Sequence, residues 1–137
     1  MTNRGLALSV LLVIGLLQGC SATAQRDQSL VGAWRVERVA TQVVPADGGP
    51  TLTFDKDKRA HGSGGCNRYQ GSYDVAAMSL TFGPLAATRR ACPTAQMDLE
   101  QLFFGTLAKV KGYQRDGSTL KLLAADDGVV IVLRQTN

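Results

Sequence analysis

Cys66 and Cys92 lie 26 positions apart in a chain that holds three cysteines. A cysteine can pair oxidatively, attack an electrophile as its thiolate or ligate zinc, and its companions decide which. In an oxidising compartment, a disulfide closing this loop stabilises by roughly 3.5 kcal/mol through the entropy it removes from the unfolded chain. A catalytic thiol pair is the sharper alternative, but the C-x-x-C spacing is missing. Zinc would have to be built on His61, the only histidine, and no carboxylate pair completes four ligands. Cys20 is the odd thiol that remains, and an odd thiol needs its own explanation.

Other constellations also fall short of chemistry. Gly62-Ser-Gly-Gly-Cys66 invites a phosphate-loop reading, yet Asn67 stands where a dinucleotide loop has its third glycine, and no Gly-Lys-Ser/Thr follows. These glycines are expected to bend or bulge the backbone at a barrel corner, with Asn67 hydrogen-bonded to backbone there. Ser63 and Cys66 lack a base, and Asp98 and Glu100 are two apart on a helix, so they point in different directions. Asp55-Lys-Asp-Lys-Arg59 lacks the third ligand and the glycine of a calcium loop and reads as a charged hairpin turn. No catalytic site, metal or cofactor is therefore expected. The net charge of +4 is spread over scattered side chains, with no basic run longer than Arg89-Arg90, so no nucleic-acid partner is expected.

The elements that must position these residues are mostly strands. In Asn67–Val75, Tyr69, Gly71, Tyr73 and Val75 share one face, and Arg68, Gln70, Ser72 and Asp74 the other. The same period sets Trp34/Val36 against Arg35/Glu37, Leu52/Phe54 against Thr51/Thr53, and Met78/Leu80/Phe82 against Ser79/Thr81. Turn residues separate the runs at Asp47–Pro50, Asp55–Lys58, Asp116-Gly117 and Asp126–Gly128. One segment has helical spacing: Ala95, Leu99, Leu102, Phe103, Leu107 and Val110, with Pro93 at its first position and Gly112 as its stop. The fold class is mainly β (α+β), a small antiparallel barrel-like sheet of about seven or eight strands with one helix packed on it or plugging it. Trp34, Phe54, Tyr69, Tyr73 and Phe82 are core candidates.

Residues 1–19 read as a secretory address. Arg4 precedes the apolar run Leu6–Leu17, which at twelve residues is too short to cross a hydrocarbon core of about 30 Å as a helix. Leu17-Gln18-Gly19-Cys20 resembles the bacterial lipoprotein box, which implies cleavage before Cys20 and lipidation of that residue. Ordinary secretion, with cleavage after Ala22-Thr23-Ala24, is the alternative. Several acyl chains would anchor the chain stably without spanning the membrane. Ser21, where inner-membrane retention uses Asp, points to the outer membrane facing the periplasm. Residues 20–29 read as a flexible tether and residues 30–137 as one domain.

The block Gly62-Ser-Gly-Gly-Cys-Asn-Arg-Tyr-Gln-Gly-Ser-Tyr73 carries a family resemblance. So do Leu80–Leu85, Thr88-Arg89, Ala91-Cys92-Pro93, Glu100, Gly32-Ala-Trp34 and Leu52-Thr-Phe54. Together they resemble the META domain, the HslJ-like family of heat-shock lipoproteins, from about residue 30 to 134. His61 and Gly105 depart from its usual pattern. The matching positions include Trp34, Gly65, Asn67, Gly71, Tyr73, Thr88, Arg89 and Glu100, and they make a pairing of Glu100 with Arg89 or Arg90 attractive. Such a surface pair stabilises by at most about 1 kcal/mol. The resemblance implies an antiparallel barrel with a helix, an association with envelope or heat stress, no established catalytic activity, and action through binding, with an envelope protein or a hydrophobic ligand as the partner. Some members resemble lipid-binding secretion pilots, so the alternative is a lipocalin-like carrier holding a lipid or other hydrophobic ligand in its barrel.

Overall fold

A computed structural model describes residues 30–136. Cys20 and the expected signal segment and tether lie outside the described residues. The strands are β1 (Gly32–Val39), β2 (Gln42–Val43), β3 (Thr51–Phe54), β4 (Arg59–Ser63), β5 (Arg68–Ala76), β6 (Ser79–Phe82), β7 (Ala86–Ala87), β8 (Gly112–Asp116), β9 (Thr119–Leu123) and β10 (Val129–Gln135). The helix α1 (Thr94–Leu107) stands between β7 and β8. Around the ring the order is β1-β3-β4-β5-β6-β8-β9-β10, and β10 pairs back onto β1, closing an eight-stranded antiparallel barrel. The two-residue strands β2 and β7 sit outside the ring as additions to β1 and β5.

Period-two burial turns one face of the long ring strands inward. Tyr69 and Tyr73 are buried on β5 while Arg68, Gln70, Ser72 and Asp74 are exposed. In β1 the alternation slips. Trp34 and Val36 point in, a register shift falls between Val36 and Arg38, and Val39 then returns to the core, as a bulge at Glu37 requires. The interior is filled by Trp34, Leu52, Phe54, Tyr73, Leu80, Leu120, Leu122, Ile131 and Leu133, each exposed by 2% or less. The Phe54 and Tyr73 rings meet edge to face at 4.9 Å. Side chains this little exposed fill the space between the strands, so this eight-stranded barrel has a packed interior.

The helix buries Leu99, Phe103 and Leu107, three positions at i, i+4 spacing. It reaches β1 and β10 and meets Tyr69 of β5 through the rings of Phe103 and Phe104, at 5.8 and 5.3 Å. Since β5 and β10 lie opposite each other on the ring, α1 closes one end of the barrel.

Four details differ from the sequence reading. Pro93 is the N-cap, one position outside the helix, with extended backbone at φ −52° and ψ 146°. The helix ends at Leu107, and Gly112 instead opens β8, paired with Ser79 and Leu123. Met78 is half exposed at 52%, because it occupies the turn with Ala77 before β6 begins. Finally, β4 is a strand of the ring although Arg-Ala-His-Gly-Ser offers only Ala60 to the core.

Candidate functional site

The residues singled out by spacing gather where β5 begins. The disulfide is present: Cys66 and Cys92 are bonded with Cα atoms 6.0 Å apart, tying the entry of β5 to the segment before α1. Gly65 holds φ +115°, a conformation L side chains rarely adopt, and so turns the chain into Cys66. Beside it, a Cβ on Gly64 would stand 2.7 Å from Glu100 and from the Phe104 ring. The absence of that carbon lets the helix approach.

Into this gap α1 delivers the Glu100 carboxylate, only 5% exposed. Oε2 accepts the backbone N–H groups of Cys66 at 3.1 Å and Asn67 at 2.6 Å, while Oε1 accepts the Asn67 side-chain amide at 2.7 Å. On its other side, Asn67 Oδ1 accepts the Arg90 backbone N–H at 2.6 Å and the Thr88 hydroxyl at 3.0 Å. Thr88 Oγ1 in turn accepts the Arg68 N–H at 3.2 Å. The expected pairing of Glu100 with an arginine side chain is corrected. Arg90 contributes backbone to the cluster, and the carboxylate is satisfied by N–H donors that a buried corner must otherwise leave unpaired. Arg89 is exposed and takes no part in it.

The hydrogen bonds of this cluster join helix, corner and β7 flank. Gly71 and Tyr73 serve the same wall. A Cβ on Gly71 would meet Leu85 at 2.6 Å, so Pro84-Leu85 crosses close over β5, and the Tyr73 hydroxyl donates to the Asp55 carbonyl at 2.8 Å. Trp34 donates from Nε1 to the Leu30 carbonyl at 2.9 Å, with the Arg115 guanidinium 5.0 Å over its ring. Tyr69 donates to the Thr51 carbonyl at 2.8 Å, and burial pushes its hydroxyl well above the ordinary tyrosine range.

Concave regions lie on the outside of the barrel. A groove of about 660 Å³ runs over β4, β5 and β7, where Arg59, His61, Ser63, Arg68 and Gln70 face solvent. His61 Nε2 lies 3.3 Å from Asp55 Oδ2 at its rim, a half-exposed pair. A smaller groove of about 350 Å³ is apolar, lined by Phe82, Pro84, Leu85, Phe104 and Ala108. Nothing in the sequence marks Arg59 as part of a site. The alternation in β5 already put Arg68 and Gln70 outward, but only the pairing of β4 with β5 brings Arg59 and His61 alongside.

A small closed antiparallel barrel, capped by one helix and locked by a disulfide and a buried carboxylate, defines the class of domain. The chain matches the META domain family over residues 28–137 and belongs to that family. No curated protein matches it. Its fold is similar to that of a protein from Burkholderia xenovorans solved by NMR, at a TM-score of 0.67 and 24% identity, covering 94% of this chain and 99% of that one. A DUF4847 family protein from Bacteroides vulgatus is also similar, at 0.58 and 16%, covering 78% and 94%.

Proposed function

We propose that this META-domain protein is a lipid-anchored protein of the outer membrane, facing the periplasm, that works without catalysis by binding a partner or ligand on its outer surface. The observation that carries this reading is the filled interior. A lipocalin-like carrier needs space among Trp34, Phe54, Tyr73 and the leucines, and these side chains leave none. The polar residues of the motif are engaged in holding α1 to the barrel, which supports a binding role over an enzymatic one. The Leu17–Cys20 box and Ser21 support the anchor and its destination, and the family supports a role in tolerance of heat or envelope stress.

Metabolic labelling with palmitate tests the anchor. Label is expected in the wild-type chain and not in Cys20→Ser, and an unlabelled wild type would end this part of the reading. Heat survival of a deletion strain tests the role: survival should fall and be restored by the wild-type chain, whereas undiminished survival under heat and envelope stress counts against it.

A further inference from the structure

The basic groove over β4 and β5 contributes nothing to the closure of the barrel. Two arginines and His61 line it, and no aspartate or glutamate does. Among the described residues, the guanidinium groups of Arg59 and Arg68, like those of Arg89 and Arg90, have no hydrogen-bond or ion-pair partner, whereas Arg35, Arg38, Arg115 and Arg134 are engaged. The hydroxyls nearby are already partly spent: Thr51 accepts the Ser63 N–H, and Thr88 serves Asn67. What faces the groove unspent is cationic, with the Gln70 amide between the two arginines.

Their separation follows from the ladder. Arg59 pairs with Ser72 and Ser63 with Arg68, so the two arginines stand four residues apart along β5, about 13 Å at the rise of a strand. Each guanidinium can grip a phosphate or carboxylate through two parallel N–H bonds. Their long side chains can turn toward the groove centre or stand apart, and strand positions this far apart leave room for each to hold an oxyanion of its own. We propose that the groove binds a small soluble molecule carrying two oxyanion groups, phosphate or carboxylate, one held by Arg59 and the other by Arg68. Gln70 and His61 face the body of the ligand between its charged ends. The inference rests on the outer-surface reading but not on the anchor, so palmitate labelling and ligand titration can fail independently.

The test is titration of the full chain in neutral detergent with glucose 1,6-bisphosphate and glucose 6-phosphate, and with suberate as a dicarboxylate. The bisphosphate is expected to bind roughly tenfold or more tightly than the monophosphate. Arg59→Gln and Arg68→Gln, both exposed side chains, should each bring it down to the monophosphate level. Lys121→Gln, on β9 across the ring from β4, should leave binding unchanged. No binding of the bisphosphate or of suberate at low ionic strength would overturn the proposal. So would an equal loss in Lys121→Gln, which would reduce the effect to net charge. Preferential binding of dihexanoyl phosphatidylglycerol would overturn it in favour of a lipid surface.

Discussion

Glu100 on the helix accepts hydrogen bonds from both the backbone N–H and the side-chain amide of Asn67, 33 residues earlier, at 2.6 and 2.7 Å. One carboxylate thereby fastens the barrel's end cap to its corner. Charged acceptors make such bonds stronger than neutral ones, and their loss strands buried donors. Glu100→Gln keeps the shape but turns one acceptor oxygen into an amide that faces donors, so it should lower unfolding free energy by about 1–3 kcal/mol. Chemical denaturation reads the change, and unchanged stability would show that the cluster holds nothing together.

Removing the disulfide should cost more. Replacing both Cys66 and Cys92 with serine releases the 26-residue separation and is expected to destabilise by roughly 3.5 kcal/mol. Reductant should then shift the midpoint of the wild type but not that of the double variant.

Two glycines should respond in opposite directions to alanine. At Gly64 the new carbon would press on the Glu100 carboxylate and the Phe104 ring at 2.7 Å, so Gly64→Ala lowers the melting temperature. At Gly105, exposed on α1 with nothing within 4 Å, Gly105→Ala should stabilise by up to about 1 kcal/mol. Calorimetry of the two variants checks the pair.

Tyr69 should make the domain sensitive to alkali. Burial raises its folded-state pKa, so the folded hydroxyl stays protonated after the unfolded one ionises near its ordinary value of about 10. Its contribution is fully present below that pH and is lost as pH rises from there toward the folded value. The slope it adds is about 1.4 kcal/mol per pH unit. Tyr69→Phe should start less stable, having lost its bond to the Thr51 carbonyl, yet decline less steeply above pH 10 in denaturant titrations.

The sequence made the barrel legible wherever one face was apolar. The alternation from Asn67 to Val75 and the pairing of Trp34 with Val36 need only a period of two. It hid β4 because Arg-Ala-His-Gly-Ser draws its place from its neighbours' hydrogen bonds and buries a single alanine. It also misdirected Glu100. Charge alone favours an arginine partner, and only the fold reveals that the corner at Cys66 and Asn67 presents three N–H donors at the same place. The stripe from Ala95 to Val110 likewise marked a helix but not its end, since Val110 is buried by the loop into β8.

The filled barrel is the claim from which the outer-surface reading follows, and native mass spectrometry of the mature chain purified from its own envelope tests it most directly. The expected mass is that of the processed chain with its covalent acyl groups and no releasable hydrophobic molecule. A stoichiometric lipid, released on unfolding and protected from exchange while the barrel is folded, would contradict it.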